Sequence, residues 1–322
     1  MNFEANLLVR PERPPTAPAV PPSLTPKHPK WGPSFITWLI AVMVLVGLGI
    51  SLYPTTSQWI SSYNQSQIVR NYAGEVDNMN PGPVEQLGEA VRYNDALTSG
   101  VDLLAGATIP TGTGTSANTA FDYNQTLVAN EDGMMARIRF PVADVDLPIY
   151  HGTSEDTLLK GAGHLEGSHL PVGGESTRSV ITAHRGLATS TMFSHLDRVE
   201  IGDRFTLETF GEVLTYEVRE TRVIAPEETD SLRAEPGRDL VTLVTCTPLG
   251  INTHRILVTG ERVTPTPPAD LSTLGQASTL PGFPWWALGF GAGIVLVTAF
   301  VWRAGYTDPR RIRPTQPSAT DS

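Results

Sequence analysis

Residues 240–262 read Leu240-Val241-Thr242-Leu243-Val244-Thr245-Cys246-Thr247-Pro248-Leu249-Gly250-Ile251-Asn252-Thr253-His254-Arg255-Ile256-Leu257-Val258-Thr259-Gly260-Glu261-Arg262. Two apolar, β-branched runs flank a stretch rich in Pro, Gly, Asn and Thr, the composition of two strands joined by a turn. If the runs pair as a hairpin, positions with a constant sum face each other, and Cys246 and Arg255 stand equally far from the middle of the loop. A thiol and a guanidinium then share the mouth of one sheet. The guanidinium is permanently charged and can stabilise an oxyanion as a thiolate attacks a carbonyl. His254 is next to Arg255, so strand alternation points it to the opposite face. Cys246 is the single cysteine of the chain; an intrachain disulfide and a Cys-based zinc site are excluded. These residues leave two readings of it open, a nucleophile and a small buried hydrophobe.

Upstream, further short apolar runs lie at 135–140, 145–150, 179–183, 204–208 and 213–223, with a short helix expected at 155–160. Many short strands separated by turn residues suggest a barrel or a sandwich. A cysteine nucleophile also needs an acid–base partner. The histidines are His28, His151, His164, His169, His184, His195 and His254. His184 ends an apolar run and precedes Arg185-Gly186, where a barrel would present a side chain to a groove. The pattern favours His184 but does not decide among the candidates.

The ends of the chain set its surroundings. Residues 35–53 and 285–302 are apolar runs without a charge, each long enough to span a bilayer and bounded by aromatic residues (Trp31, Trp38 and Tyr53; Trp285, Trp286 and Trp302). The first run is too long for a signal-peptide core, and no Ala-x-Ala site follows it, so it reads as an uncleaved anchor. Arg10, Arg13, Lys27 and Lys30 precede the first run, and Arg303, Arg310, Arg311 and Arg313 follow the second. This bias puts both termini in the cytoplasm and residues 54–284 outside. That outer segment carries 15 Lys plus Arg against 29 acidic residues. The whole chain, at 322 residues and net charge −10, is a poor match for a nucleic-acid backbone. A lone cysteine in an oxidising space calls for an explanation.

The expected organisation is a Pro-rich disordered tail at 1–34, a transmembrane helix at 35–53, and a helical preamble with a long Gly- and Thr-rich loop at 54–133. A β-domain follows at 134–263, then a Pro-rich linker at 264–284, a second transmembrane helix at 285–302 and a basic tail at 303–322. Within the preamble the helical pattern of 56–97 is broken by Asn80-Pro81-Gly82-Pro83.

Thr242-Leu243-Val244-Thr245-Cys246 resembles the TLxTC signature of sortases, membrane-bound cysteine transpeptidases of Gram-positive bacteria, and Cys246 to Arg255 resembles the CTPxGxNTHR run of class C, the pilin-polymerising sortases. Leu147-Pro148-Ile149-Tyr150-His151-Gly152-Thr153, Gly161-Ala162-Gly163-His164-Leu165-Glu166-Gly167, Leu170-Pro171-Val172-Gly173-Gly174 and the run from Ser179 to Gly186 look like the same subfamily. The resemblance covers residues 134–262 in order, is weaker over the preamble and is absent from both tails. It implies a mainly β fold, an eight-stranded sortase barrel with short helices. It maps the catalytic cysteine to Cys246, the histidine to His184 and the arginine to Arg255, with Thr245 and Asn252 as groove candidates. It implies LPXTG-bearing pilin or surface proteins as partners and no metal or organic cofactor. His151 and His164 are expected to be structural or to shape the groove.

Class C sortases usually carry a lid with an Asp-Pro-aromatic motif. This chain has the long loop but no Asp-Pro followed by Trp or Phe. Its nearest pieces are Phe121, Asp122 and Tyr123, with an aromatic in the groove and Asp122 near Arg255; the alternative is an open site. Two other functions fit the family: a housekeeping sortase that anchors surface proteins to peptidoglycan, and a non-catalytic sortase-like scaffold.

Overall fold

The computed structural model describes residues 31–98, 101–102, 111–112, 115–116 and 122–307. Its contacts define two units, one from the chain up to Val44 and from Val295 onward, the other Leu45–Ile294. In the first unit Trp31 Nε1 donates to the Trp302 carbonyl at 3.3 Å, and the Gly32 N–H donates to the Gly305 carbonyl at 3.2 Å.

Helix α1 runs Phe35–Asp77 and includes Pro54. The sequence predicts an apolar helix ending near Tyr53 and a separate helix after it; the two are continuous. Pro54 removes one donor, the one that would reach Ile50. The hydroxyls of Thr55 and Ser57 donate to the Leu52 and Tyr53 carbonyls, each at 2.9 Å. Helix α2, Pro83–Ala96, starts on a proline, whose missing N–H would have had no partner there. Helix α5 is Trp285–Thr307. The apolar stretches of α1 and α5 are only 11% and 6% buried, which separates them from core helices and is consistent with membrane anchoring.

The β-domain is a closed barrel of eight strands: β1 Met134–Phe140, β2 Val145–His151, β3 Ala162–His164, β4 Thr177–Thr182, β5 Arg204–Thr209, β6 Glu212–Ile224, β7 Asp239–Thr247 and β8 His254–Arg262. Around the barrel the order is β6-β8-β7-β4-β3-β2-β1-β5, closing on β6. The pairs β2–β3 and β4–β7 are parallel. Seven strands were legible as apolar runs. The eighth, β3, is Ala-Gly-His and carries no pattern. A Cβ on Gly163 would come within 2.9 Å of Leu158 Cδ2 and closer still to the Gly152 carbonyl, so only glycine lets helix α3 (Glu155–Lys160) lie against this strand. Outside the barrel, residues 97–98 pair with 115–116, and 101–102 with 111–112.

The core joins the barrel interior to the preamble. Phe140, Phe205, Tyr216, Leu243 and Val258 fill the barrel, and Tyr72 of α1 and Tyr93 of α2 belong to the same buried cluster. Burying each such ring contributes roughly 2 kcal/mol. The Tyr72 hydroxyl donates to the Met135 carbonyl at 3.0 Å and accepts from the Phe210 N–H at 2.9 Å, so no polar atom is stranded.

Residues 264–284, expected as a polar linker, are held along the barrel. Arg137, fully buried, grips Asp146 with two nitrogens at 2.7 and 2.9 Å and donates to the Gln276 carbonyl at 2.7 Å. Glu208 accepts from the Gly275 N–H at 3.2 Å, and Thr215 donates to Asp270 of the short helix α4, Pro268–Leu271, at 2.9 Å. Trp59 of α1 donates to the Gly282 carbonyl at 2.9 Å.

Removing the cation would take from Asp146 and Glu208 the buried charge they share. Arg137→Leu is expected to destabilise the barrel by about 3–5 kcal/mol, read by urea unfolding of the full chain in detergent, with earlier proteolysis within 264–284.

Candidate active site

Strand β7 is antiparallel to β8, with Cys246 directly opposite Arg255. It is parallel to β4, with Val244 level with Thr182. The alignment continues past the last ladder pair: the Ala183 N–H donates to the Val244 carbonyl at 3.2 Å, and Thr245 Oγ1 donates to the Ala183 carbonyl at 2.8 Å. His184 therefore comes level with Cys246. On the far side of β8, Ile224 of β6 faces Arg255. One row, across three strands and the extension of β4, reads His184, Cys246, Arg255, Ile224.

Alternation sets the face. Val241 and Leu243 belong to the core cluster, whereas Val244 belongs to an outer apolar cluster with Leu165, Val180, Ile224, Leu232 and Leu257. Cys246 shares the Val244 side, so the row lies on the outer face at the end of that cluster. His254 is exposed on the other side, as alternation predicts.

All three candidates are nearly dry: His184 is 7% exposed, Cys246 5% and Arg255 0%. Burial pushes the Cys246 thiol up from its ordinary value, and the Arg255 guanidinium pulls it down by a smaller amount. The resting group at neutral pH is therefore the thiol. Arg255 Nη1 donates to the Asn252 carbonyl at 2.8 Å and to the His254 carbonyl at 3.1 Å. Asn252 sits at φ 59°, a conformation asparagine tolerates, and its carbonyl thereby holds the guanidinium. Thr245, the other groove candidate, is buried, and its hydroxyl staples β7 to the strand end that bears His184.

The lid candidates are placed differently. Phe121 lies outside the described residues. Asp122 is exposed and caps a short turn by accepting from the Asn124 N–H at 2.9 Å. Tyr123 is buried: its hydroxyl donates to the His164 carbonyl at 3.0 Å, meets His164 Nδ1 at 3.0 Å and accepts from the Gly152 N–H at 2.9 Å. Its ring meets His151 edge-on. His164, His151 and Tyr123 thus form a buried polar junction between the preamble and the barrel, and burial holds His164 down to about 3.

Three residues near the row were not singled out from sequence. Arg185 donates to Thr247 Oγ1 at 2.9 Å and pairs with Asp197 at 2.8 Å, tying the chain after His184 to the end of β7. Gly186, at φ +75°, leaves room for Leu249 of the loop after Cys246. Glu155, first residue of α3, places Oε1 3.3 Å from His184 Nε2. Arg185 and Gly186 were visible beside His184; nothing local marks Glu155. Among the described residues no group of three or more His, Cys, Asp or Glu is arranged to hold a metal ion.

Residues 138–263 match the sortase domain family. The chain is similar to sortase D of Bacillus subtilis (strain 168), 31% identical over 156 residues, 47% of this chain and 75% of that protein. Among solved structures it resembles sortase C-1 from Actinomyces oris, with 48% identity, 56% of this chain and 98% of that chain covered, and TM-score 0.50. It also resembles sortase C of Streptococcus pneumoniae, whose structure is described in terms of catalysis and pilin substrate specificity, with 36% identity, 63% and 99% covered, and TM-score 0.54.

Two pH-linked outcomes follow from these environments. Arg255→Gln removes the charge that opposes burial at Cys246, so iodoacetamide alkylation of Cys246 at pH 8 is expected to slow roughly threefold to tenfold. His164 is depressed when folded, so the unfolded chain binds the extra proton and stability falls as pH drops below the unfolded value near 6.5. Between pH 6.5 and 5 this loss is about 2 kcal/mol, and His164→Gln should remove that slope in urea titrations.

Proposed function

The chain belongs to the sortase family of cysteine transpeptidases, and on that premise we propose that it cleaves LPXTG-like sorting signals and joins the acyl fragment to a lysine of a pilin subunit. The likeness to the sortase C structures supports the pilin reading. The observation that carries the chemistry is the row itself: Cys246 opposite Arg255 and level with His184.

In this reading the thiol, protonated at rest, gives its proton to His184 as the substrate arrives. The Cys246 thiolate attacks the carbonyl of the Thr–Gly bond. Arg255, fixed by two backbone carbonyls, faces the oxygen on which negative charge develops. The imidazolium then protonates the leaving glycine amine, and a thioester remains on Cys246. A lysine amine attacks the thioester carbonyl, His184 takes the amine proton, and the thiolate leaves as an isopeptide bond forms. A dry site favours aminolysis because it keeps water from competing.

The basic residues that precede the first apolar run and follow the second support a topology with both termini in the cytoplasm and the barrel on the outer side, where secreted sorting signals emerge. The membrane supplies the second partner of the chain.

Incubating the full chain in detergent with an LPXTG peptide and a pilin domain, and reading intact masses, tests this function. A thioester on Cys246 that passes to a pilin lysine is expected. Transfer only to a glycine amine would replace the pilin reading with peptidoglycan anchoring, and no adduct would sink both. Cys246→Ala should abolish the thioester, His184→Ala should lower turnover by about 100-fold or more, and Arg255→Lys should lose most activity for want of the guanidinium fork.

A further inference from the structure

The reaction derived above uses one ring nitrogen of His184, and the surroundings of Nε2 single it out as the other. That nitrogen is buried and makes no hydrogen bond, and Glu155 Oε1 lies 3.3 Å from it. A buried ring nitrogen needs a partner. The Glu155 side chain is 53% exposed against 8% for His184, so the carboxylate has room to turn while the imidazole is held. Both residues are anchored through their backbones. Ser154 caps α3 by accepting from the Thr157 N–H at 3.2 Å, and Leu158 is buried over Gly163. The His184 carbonyl accepts from the Phe193 N–H at 3.0 Å.

We propose that Glu155 is a positioning residue for the acid–base histidine. It accepts the Nε2 proton and so holds the tautomer that leaves Nδ1 to exchange protons with the Cys246 sulfur and the substrate amines. It also stabilises the imidazolium that forms when the thiol ionises. A base oriented by a third group is the general arrangement around activated nucleophiles. The protons balance without Glu155 changing state: Nδ1 takes the thiol proton, delivers it to the glycine amine, takes one from the lysine amine and returns to neutral by giving that proton back to the Cys246 thiolate. The inference rests on the assignment of Cys246 and His184 as nucleophile and acid–base group.

The charged groups around His184 support a specific role for this carboxylate. From α3 come Glu155 and its neighbour Asp156. From the chain after β4 comes Arg185, whose charge is matched by Asp197 at 2.8 Å. From β7 and β8 come Cys246 and Arg255. Of these, Glu155 is the carboxylate at ion-pair distance from the imidazole.

The test uses the full chain in detergent with Glu155→Gln, Glu155→Asp and Asp156→Asn. The readouts are kcat and KM for LPXTG peptide cleavage across pH, and substrate-free alkylation of Cys246 by iodoacetamide. Glu155→Gln is expected to lower kcat about tenfold with KM little changed, and to change the pH dependence of kcat. It should also slow alkylation at pH 7 several-fold, because a weaker imidazolium supports less thiolate. Glu155→Asp should recover most of the rate, and Asp156→Asn should match wild type. An unchanged kcat, pH profile and alkylation rate in Glu155→Gln overturns the proposal, as does an equal loss in Asp156→Asn. Should wild type form no thioester at all, the functional reading fails, and the alkylation arm still decides whether Glu155 and His184 are coupled.

Discussion

The ladder around β7 is the constraint on which the rest depends. A parallel neighbour runs in the same direction, so the C-terminal ends of β4 and β7 emerge at one edge of the barrel. An antiparallel neighbour begins at that edge, so β8 contributes its first residues there. His184, Cys246 and Arg255 converge because two strands end and one begins in the same row. No loop has to reach for the chemistry. A slip of one residue in either pairing would send one member of the row to the opposite face, and the Thr245–Ala183 bond and the Arg185–Thr247 bond guard against it on the β4 side.

That row balances two opposed electrostatic effects. Burial disfavours the thiolate and the Arg255 guanidinium favours it, with burial the larger. The outcome is a cysteine that rests as a thiol. For a lone cysteine read as facing an oxidising space this is protective, because the thiolate is the form that oxidants attack. Ionisation then depends on an acceptor for the proton, and in the proposed mechanism that acceptor is His184.

Buried polar groups hold the barrel in its setting. Arg137 spends its donors on Asp146 and on a backbone carbonyl of the segment leading to α5. Tyr123 spends its hydroxyl on His164 and Gly152, welding the preamble to β2 and β3. Such groups are costly to bury unless fully satisfied, so each specifies where its segment must lie. The barrel is thereby bonded to the preamble and to the segment before α5.

The sequence by itself determined what depends on neighbours close along the chain. The Cys246–Arg255 pairing followed from counting outward from a turn, the short helix at 155–160 from local pattern, and the two apolar helices from length and charge alone. Local pattern favoured His184 without deciding for it, because β4 meets β7 across 62 residues and parallel pairing leaves no turn to count from; the family resemblance made the choice. Strand β3 carried no alternation to read. Residues 264–284 gave no sign of docking, because Arg137 and Arg139 hold them through main-chain carbonyls, which every residue possesses. Tyr123, one of two aromatics offered as a lid piece beside the alternative of an open site, is buried, because its ring and hydroxyl have partners at His151, Gly152 and His164 that no local pattern announces. Glu155 became a neighbour of His184 only through the packing of α3. What tertiary structure alone decided was which distant segments share a row, because that depends on long-range register and on desolvated polar contacts, and neither leaves a local trace.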